Sequence, residues 1–195
     1  MAAVTRRSWI RAAFISVAIA ALAGCATSGN PGVASTTSKS GSAWQRPAAP
    51  PDPLTFLKAG AAAIAAVPNG TLTFIKSSDE NGTYRVLVAA PDGTQQSMDV
   101  SQDGATVMVG PTPKNNQSDA DKAQTRARVQ AARIDYHAAV NKVLVVVPNG
   151  SLTELSLGDS NGTTVWQAVA WDYNIVEHKV TINAVSGDVL ANKQV

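Results

Sequence analysis

Val67-Pro68-Asn69-Gly70-Thr71-Leu72-Thr73 returns further along the chain as Val147-Pro148-Asn149-Gly150-Ser151-Leu152-Thr153. In each copy the proline and the Asn-Gly pair stop a preceding helix, because proline has no N–H to donate and Asn and Gly accept a positive φ. An alternating, Thr-rich stretch then begins a strand. Asn81-Gly82-Thr83 recurs at the same offset as Asn161-Gly162-Thr163. Upstream, Phe56, Gly60, Ala63 and Val67 correspond to Tyr136, Val140, Val143 and Val147, spacings of 4, 3 and 4 that trace one face of an amphipathic helix. The body of the chain reads as a duplication.

Each copy predicts a helix followed by an antiparallel meander. In the first, Leu54 to Val67 is Ala-rich and helical, and strands follow at Thr71 to Lys76, Tyr84 to Ala90, Gln95 to Ser101 and Ala105 to Gly110, with Pro91-Asp92-Gly93 and Asp103-Gly104 as turns. In the second, one longer helix runs from Ser118 through Val147. Its strands fall near Ser151 to Leu157, Thr163 to Asp172, Ile175 to Asn183 and Asp188 to Lys193. The expected fold is α+β: two repeated units, each a helix packed on an antiparallel β-meander, at 54–112 and 118–195 with a linker at 113–117. Whether the two sheets are separate or continuous is open at this level.

The residues before the first helix have another character. Arg6, Arg7 and Arg11 form a basic head, Ala12 to Ala23 is a short apolar run, and Leu22-Ala23-Gly24-Cys25 follows. The run is too short to span a membrane, which takes about 20 residues, but has the length of a signal-peptide core. The Leu-Ala-Gly-Cys tetrapeptide resembles the lipobox of bacterial lipoproteins. That resemblance implies a signal peptide at 1–24, cleavage between Gly24 and Cys25, and lipidation of the Cys25 thiol by thioether formation. Arg6-Arg7 with Trp9 and Ile10 also looks like a twin-arginine export motif, beside the ordinary export route. Residues 25–53 read as a lipidated flexible linker, since 26–53 consists mostly of Ala, Ser, Thr, Gly and Pro. Such a chain reaches about 30 Å.

This division changes the charge arithmetic. The whole chain carries a formal charge of +2, but removing 1–24 takes away three arginines and no acid, leaving −1 over 25–195. With no Lys/Arg cluster in the body, there is no electrostatic footprint for nucleic acid. A single cysteine, already assigned to the anchor, excludes an internal disulfide and a cysteine-built zinc site.

Chemistry-bearing motifs are missing as well. There is no HExxH, GxSxG or GxxxxGK, and no Ser/His/Asp spacing singles out a nucleophile. His137 reads as a surface or boundary residue and His178 as a plain strand residue, with a half-buried or pH-responsive histidine as the alternative. The acidic residues coincide with turns rather than with a calcium-binding loop of alternating oxygens. The expectation is a non-enzymatic protein without metal or cofactor. Trp166, Trp171 and Tyr173 form an aromatic cluster in which the two tryptophans, five apart on a strand, face opposite sides of the sheet. One packs beneath the helix, and the other, with Tyr173, offers a candidate partner-binding platform drawn from Trp171, Tyr173 and Trp166; the alternative is that both tryptophans serve as core or inter-domain packing.

A helix ending in Val-Pro-Asn-Gly, a Thr-rich first strand, a strand carrying an aromatic, and the closing Ile182-Asn183-Ala184-Val185-Ser186-Gly187-Asp188-Val189-Leu190 together resemble the PepSY domain of peptidase propeptides and secreted bacterial proteins. The first copy carries a degenerate form of the closing motif at Val100 to Val107. The resemblance implies a tandem PepSY-like lipoprotein held on the extracytoplasmic side of the cell membrane by its lipid. It also implies a binding module that modulates or inhibits an extracytoplasmic peptidase or another envelope protein, with no catalytic residue to carry over. The alternative is an envelope carrier or sensor for a small molecule or lipid, housed in an apolar pocket between helix and sheet.

Overall fold

The computed structural model describes residues 52–78 and 82–195. The expected signal peptide, Cys25 and all but the end of the expected linker lie outside the described residues.

Helix α1 (Pro53–Ala65) starts where the Asp52 carboxylate accepts the Leu54 N–H at 3.1 Å, with Pro53 at its first position. It buries Phe56, Ala59, Gly60 and Ala63. Asn69, at φ 53°, turns the chain after it into β1 (Thr71–Ser77). Strands β2 (Tyr84–Ala89), β3 (Gln95–Val100) and β4 (Val107–Pro113) complete an antiparallel meander. The second half runs α2 (Asp119–Ala131), α3 (Tyr136–Val146), β5 (Ser151–Ser160), β6 (Thr163–Trp171), β7 (Glu177–Asn183) and β8 (Val189–Gln194).

Two expectations are overturned here. The chain does not form two repeated units, each a helix on its own meander. Strand β1 pairs antiparallel with β5, with Ile75 opposite Leu155, so all eight strands form one sheet in the order β4-β3-β2-β1-β5-β6-β7-β8. Two separate meanders would each leave an apolar edge strand unpaired; joining β1 to β5 gives both edges a partner. Helices α1 and α3 lie side by side on the same face. Tyr136 donates its hydroxyl to the Leu57 carbonyl at 3.1 Å, and a Cβ added to Gly60 would come within 2.7 Å of the Tyr136 ring. One continuous core, from Phe56, Tyr84 and Val86 to Leu155, Trp166 and Ile182, serves the whole sheet. Burial pushes the Tyr84 and Tyr136 hydroxyls up to about 12, with Asp52 and Asp135 adding to the respective shifts.

The second correction concerns the helix expected from Ser118 through Val147, which is two helices. Ser118 and Asp121 form a capping box at the start of α2, and Ala132 ends it in extended conformation. Arg133 and Ile134 then give their N–H groups to the Ala184 carbonyl, and Asp135 caps α3 by accepting the Ala138 N–H. A good N-cap inside a helix-prone run offers the backbone a new start, and the contact with Ala184 takes up the amides that the break frees. Helix α2 lies across one end of the sheet, with Arg128 paired to Asp159 at 2.7 Å.

Candidate partner-binding turn

Strands β2 and β3 are joined by Ala90–Thr94, and β6 and β7 by Asp172–Val176. The two turns close with the same pair of backbone bonds. Ala90 N–H reaches the Thr94 carbonyl and Gly93 N–H the Ala90 carbonyl; Asp172 N–H reaches the Val176 carbonyl and Ile175 N–H the Asp172 carbonyl. Ile175 therefore stands where the sister turn has Gly93. Both are left-handed, at φ 62° and 85°. This is the position of a three-residue hairpin loop that normally goes to glycine. The other non-glycine residues described at positive φ are all asparagines: Asn69, Asn116, Asn149 and Asn161. A β-branched residue there is an outlier that costs about 1–2 kcal/mol.

Asp172 holds the strained turn. Its Oδ1 accepts the N–H groups of Asn174 at 2.8 Å and Val176 at 2.9 Å. The Val176 N–H is the main reason its carboxyl sits below the ordinary value; His178 and Asn174 add to the effect, and partial burial opposes it. The turn displays its side chains: Tyr173 is 85% exposed and Ile175 50%.

The expected aromatic cluster is divided. Trp166 is only 1% exposed and donates its indole N–H to the Ile134 carbonyl at 3.0 Å, so it is core and beyond a partner's reach. Trp171 is half-buried, opposite Glu177 of β7, and alternation puts it on the sheet face away from α1 and α3. Tyr173 stands apart at the tip of the turn. Gly24 and Cys25 lie outside the described residues. His178 is 5% exposed. Its Nδ1 lies 2.9 Å from Asn192 Oδ1, and its Nε2 lies 3.5 Å from Asp172 Oδ2.

The face away from α1 and α3 carries a row in continuous register, charged except at Val169: Asp99, Arg85, Lys76, Glu154, Val169, Lys179 and Lys193, one from each of β3, β2, β1, β5, β6, β7 and β8 in sheet order. Arg85 is paired with Asp99 and Lys76 with Glu154, while Lys179 and Lys193 stand opposite each other at the β8 edge. Beside them, Gln167, Val169 and Thr181 line an open groove of about 730 Å³. Among the described residues no cluster of three or more His, Cys, Asp or Glu could hold a metal ion.

Sequence reasoning placed Ile175 at the head of a strand and missed its left-handed place in the turn. The available signal was the alignment of Pro91-Asp92-Gly93 in the first copy with Tyr173-Asn174-Ile175 in the second, in which glycine gives way to isoleucine.

Among the described residues no helix is long and apolar enough to cross a membrane. No family model and no curated protein matches the chain. Among solved structures, the chain is similar to one from Clostridium difficile 630 described as a candidate lipoprotein, at 15% identity and a TM-score of 0.44, over 66% of this chain and 84% of that one.

Proposed function

We propose that the protein is a non-enzymatic binding module of the cell envelope, anchored by lipid at Cys25 on the extracytoplasmic side. It would engage a peptidase or another envelope protein through the β6–β7 turn, with Tyr173 and Ile175 as the contact. The anchor rests on the basic head, the short apolar run and Leu22-Ala23-Gly24-Cys25. A peptidase as partner rests on the resemblance to PepSY domains.

The observation that carries the contact is Ile175. Glycine or asparagine would make the same turn more stably, and the exposed Ile175 side chain adds nothing to the core. An apolar side chain kept in a strained position beside an exposed tyrosine is suited to insertion into a partner's surface.

The test places a photoactivatable side chain at position 173 of the lipidated chain and recovers adducts from native membranes. One discrete adduct is expected, strongly reduced by Ile175→Asn in a chain that still folds and still sediments with membranes. An adduct pattern unchanged by Ile175→Asn would remove the turn as the contact. For the anchor, Cys25→Ala should release the protein from membranes; retention there would end the lipid reading.

A further inference from the structure

His178 is nine-tenths buried, and the geometry around it dictates which ring nitrogen carries hydrogen. Asn192 of β8 gives its amide Nδ2–H to the Val146 carbonyl at the end of α3, 3.3 Å away. A carbonyl only accepts, so the amide cannot flip, and Asn192 Oδ1 must face the ring. At 2.9 Å that oxygen accepts from Nδ1–H. In the neutral ring, Nε2 is then a bare lone pair, fully buried and without a hydrogen-bond partner. A second acceptor, Asp172 Oδ2, lies 3.5 Å away. A lone pair against a carboxylate is repulsive at that distance; a proton on Nε2 makes the same contact an ion pair.

We propose that His178 is a proton-operated latch on the β6–β7 turn, tying Asp172 to β8 and α3 when Nε2 is protonated and loosening the turn when that proton leaves to solvent. Asp172 is the residue on which the turn hangs, since its other oxygen holds the Asn174 and Val176 amides. The latch is thus built into the segment that displays Tyr173 and Ile175. The charged groups on the surrounding elements are few. On its own strand, Glu177 and Lys179 flank His178 on the opposite face and pair with each other at 3.6 Å. Strand β8 adds Lys193, also on that face, and Val195 follows it, its N–H on the Glu177 carbonyl. Helix α3 brings Lys142, which lies by Gly187 at the other end of β7. Asp172 is the carboxylate that faces the ring.

A pH-dependent affinity for a partner rests on the reading that Tyr173 and Ile175 are the contact; the latch does not, and it is tested on the free chain. Nitrogen NMR of the lipidated chain in detergent micelles reads the His178 tautomer directly. The neutral ring is expected as Nδ1–H, and an Nε2–H ring would overturn the proposal. Amide exchange at Asn174 and Val176, corrected for its intrinsic pH dependence, should be about three- to tenfold faster at about pH 8 than at about pH 5, the scale of a partly exposed ion pair. His178→Gln should abolish that difference. Unchanged protection in the wild type, or an undiminished difference in His178→Gln, would overturn the latch. Should His178→Gln fail to fold, the tautomer and the wild-type exchange decide. Adduct yield at position 173, measured across the same pH range, reports separately on the binding reading.

Discussion

The Ala90–Thr94 and Asp172–Val176 turns have one geometry and opposite surroundings. The first is pressed under α2: a Cβ on Gly93 would lie 2.1 Å from the Lys122 carbonyl oxygen, and Gln117 ties the same turn to the helix by donating to the Gly93 carbonyl at 3.0 Å. Glycine is required there twice over, by φ and by the approaching backbone. The second turn projects with Tyr173 and Ile175 exposed, and it carries the side chain least suited to its φ. A fold that needed only a hairpin would use the first solution in both places. The difference separates what the fold demands from what it tolerates, and the tolerated strain sits where a partner can reach it.

Exchanging the two residues breaks the comparison most severely. Gly93→Ile puts a β-branched side chain at φ 85° and drives its Cβ into the α2 backbone. A loss of about 4 kcal/mol or more is expected, since αL strain and overpacking act together. Urea denaturation followed by circular dichroism measures it; a loss under about 1 kcal/mol would mean that α2 does not rest on the first turn.

A smaller effect separates core from display within the second half. Trp166→Phe removes the donor for the Ile134 carbonyl in a buried site and should cost about 1–3 kcal/mol, whereas Tyr173→Ala should stay within about 0.5 kcal/mol. Equal costs would put Tyr173 into the packing and remove it from the contact. Smaller still, and of opposite sign, Ile175→Asn should raise stability by about 1 kcal/mol by relieving the left-handed isoleucine. A destabilised Ile175→Asn chain would show that the isoleucine serves the fold.

Much of the local structure is legible in the sequence. The Val-Pro-Asn-Gly pairs end α1 and α3, with Asn69 and Asn149 at positive φ, because proline and asparagine act locally and leave a local signature. The stripe through Phe56, Gly60 and Ala63 is the buried face of α1 for the same reason. The pairing of β1 with β5 was not legible. It depends on how two edges, far apart in sequence, complement each other, and strand alternation names a face but not a neighbour. The break between α2 and α3 was hidden because Ala131 and Ala132 suit a helix; a tertiary partner, the Ala184 carbonyl, decides against it. At the candidate site, Tyr173 could be singled out by residue type. Ile175 could not, since its meaning lies in a dihedral angle; for His178 the residue type offers a pH-responsive histidine only as an alternative, because the fixed orientation of Asn192 leaves no local signature.

The smallest effect concerns how each turn is held. Asp92 accepts the Thr94 N–H at 2.9 Å much as Asp172 accepts that of Asn174, and both carboxyls are lowered from 3.8. For Asp92 the Thr94 backbone amide is the main cause; for Asp172 it is the Val176 amide. A carboxyl lowered by folding stabilises the native state while ionised, above its unfolded value. That contribution is lost as pH falls through the lower folded value. Both turns should therefore loosen below about pH 4, and the urea midpoint should drop between about pH 4 and pH 2. Replacing either aspartate with asparagine should reduce that drop, because an amide oxygen still accepts N–H but does not titrate. Asp172→Asn should reduce it further than Asp92→Asn does, since Asp172 also loses its contact with a protonated His178. Equal reductions would mean that the histidine adds nothing to the second turn in acid.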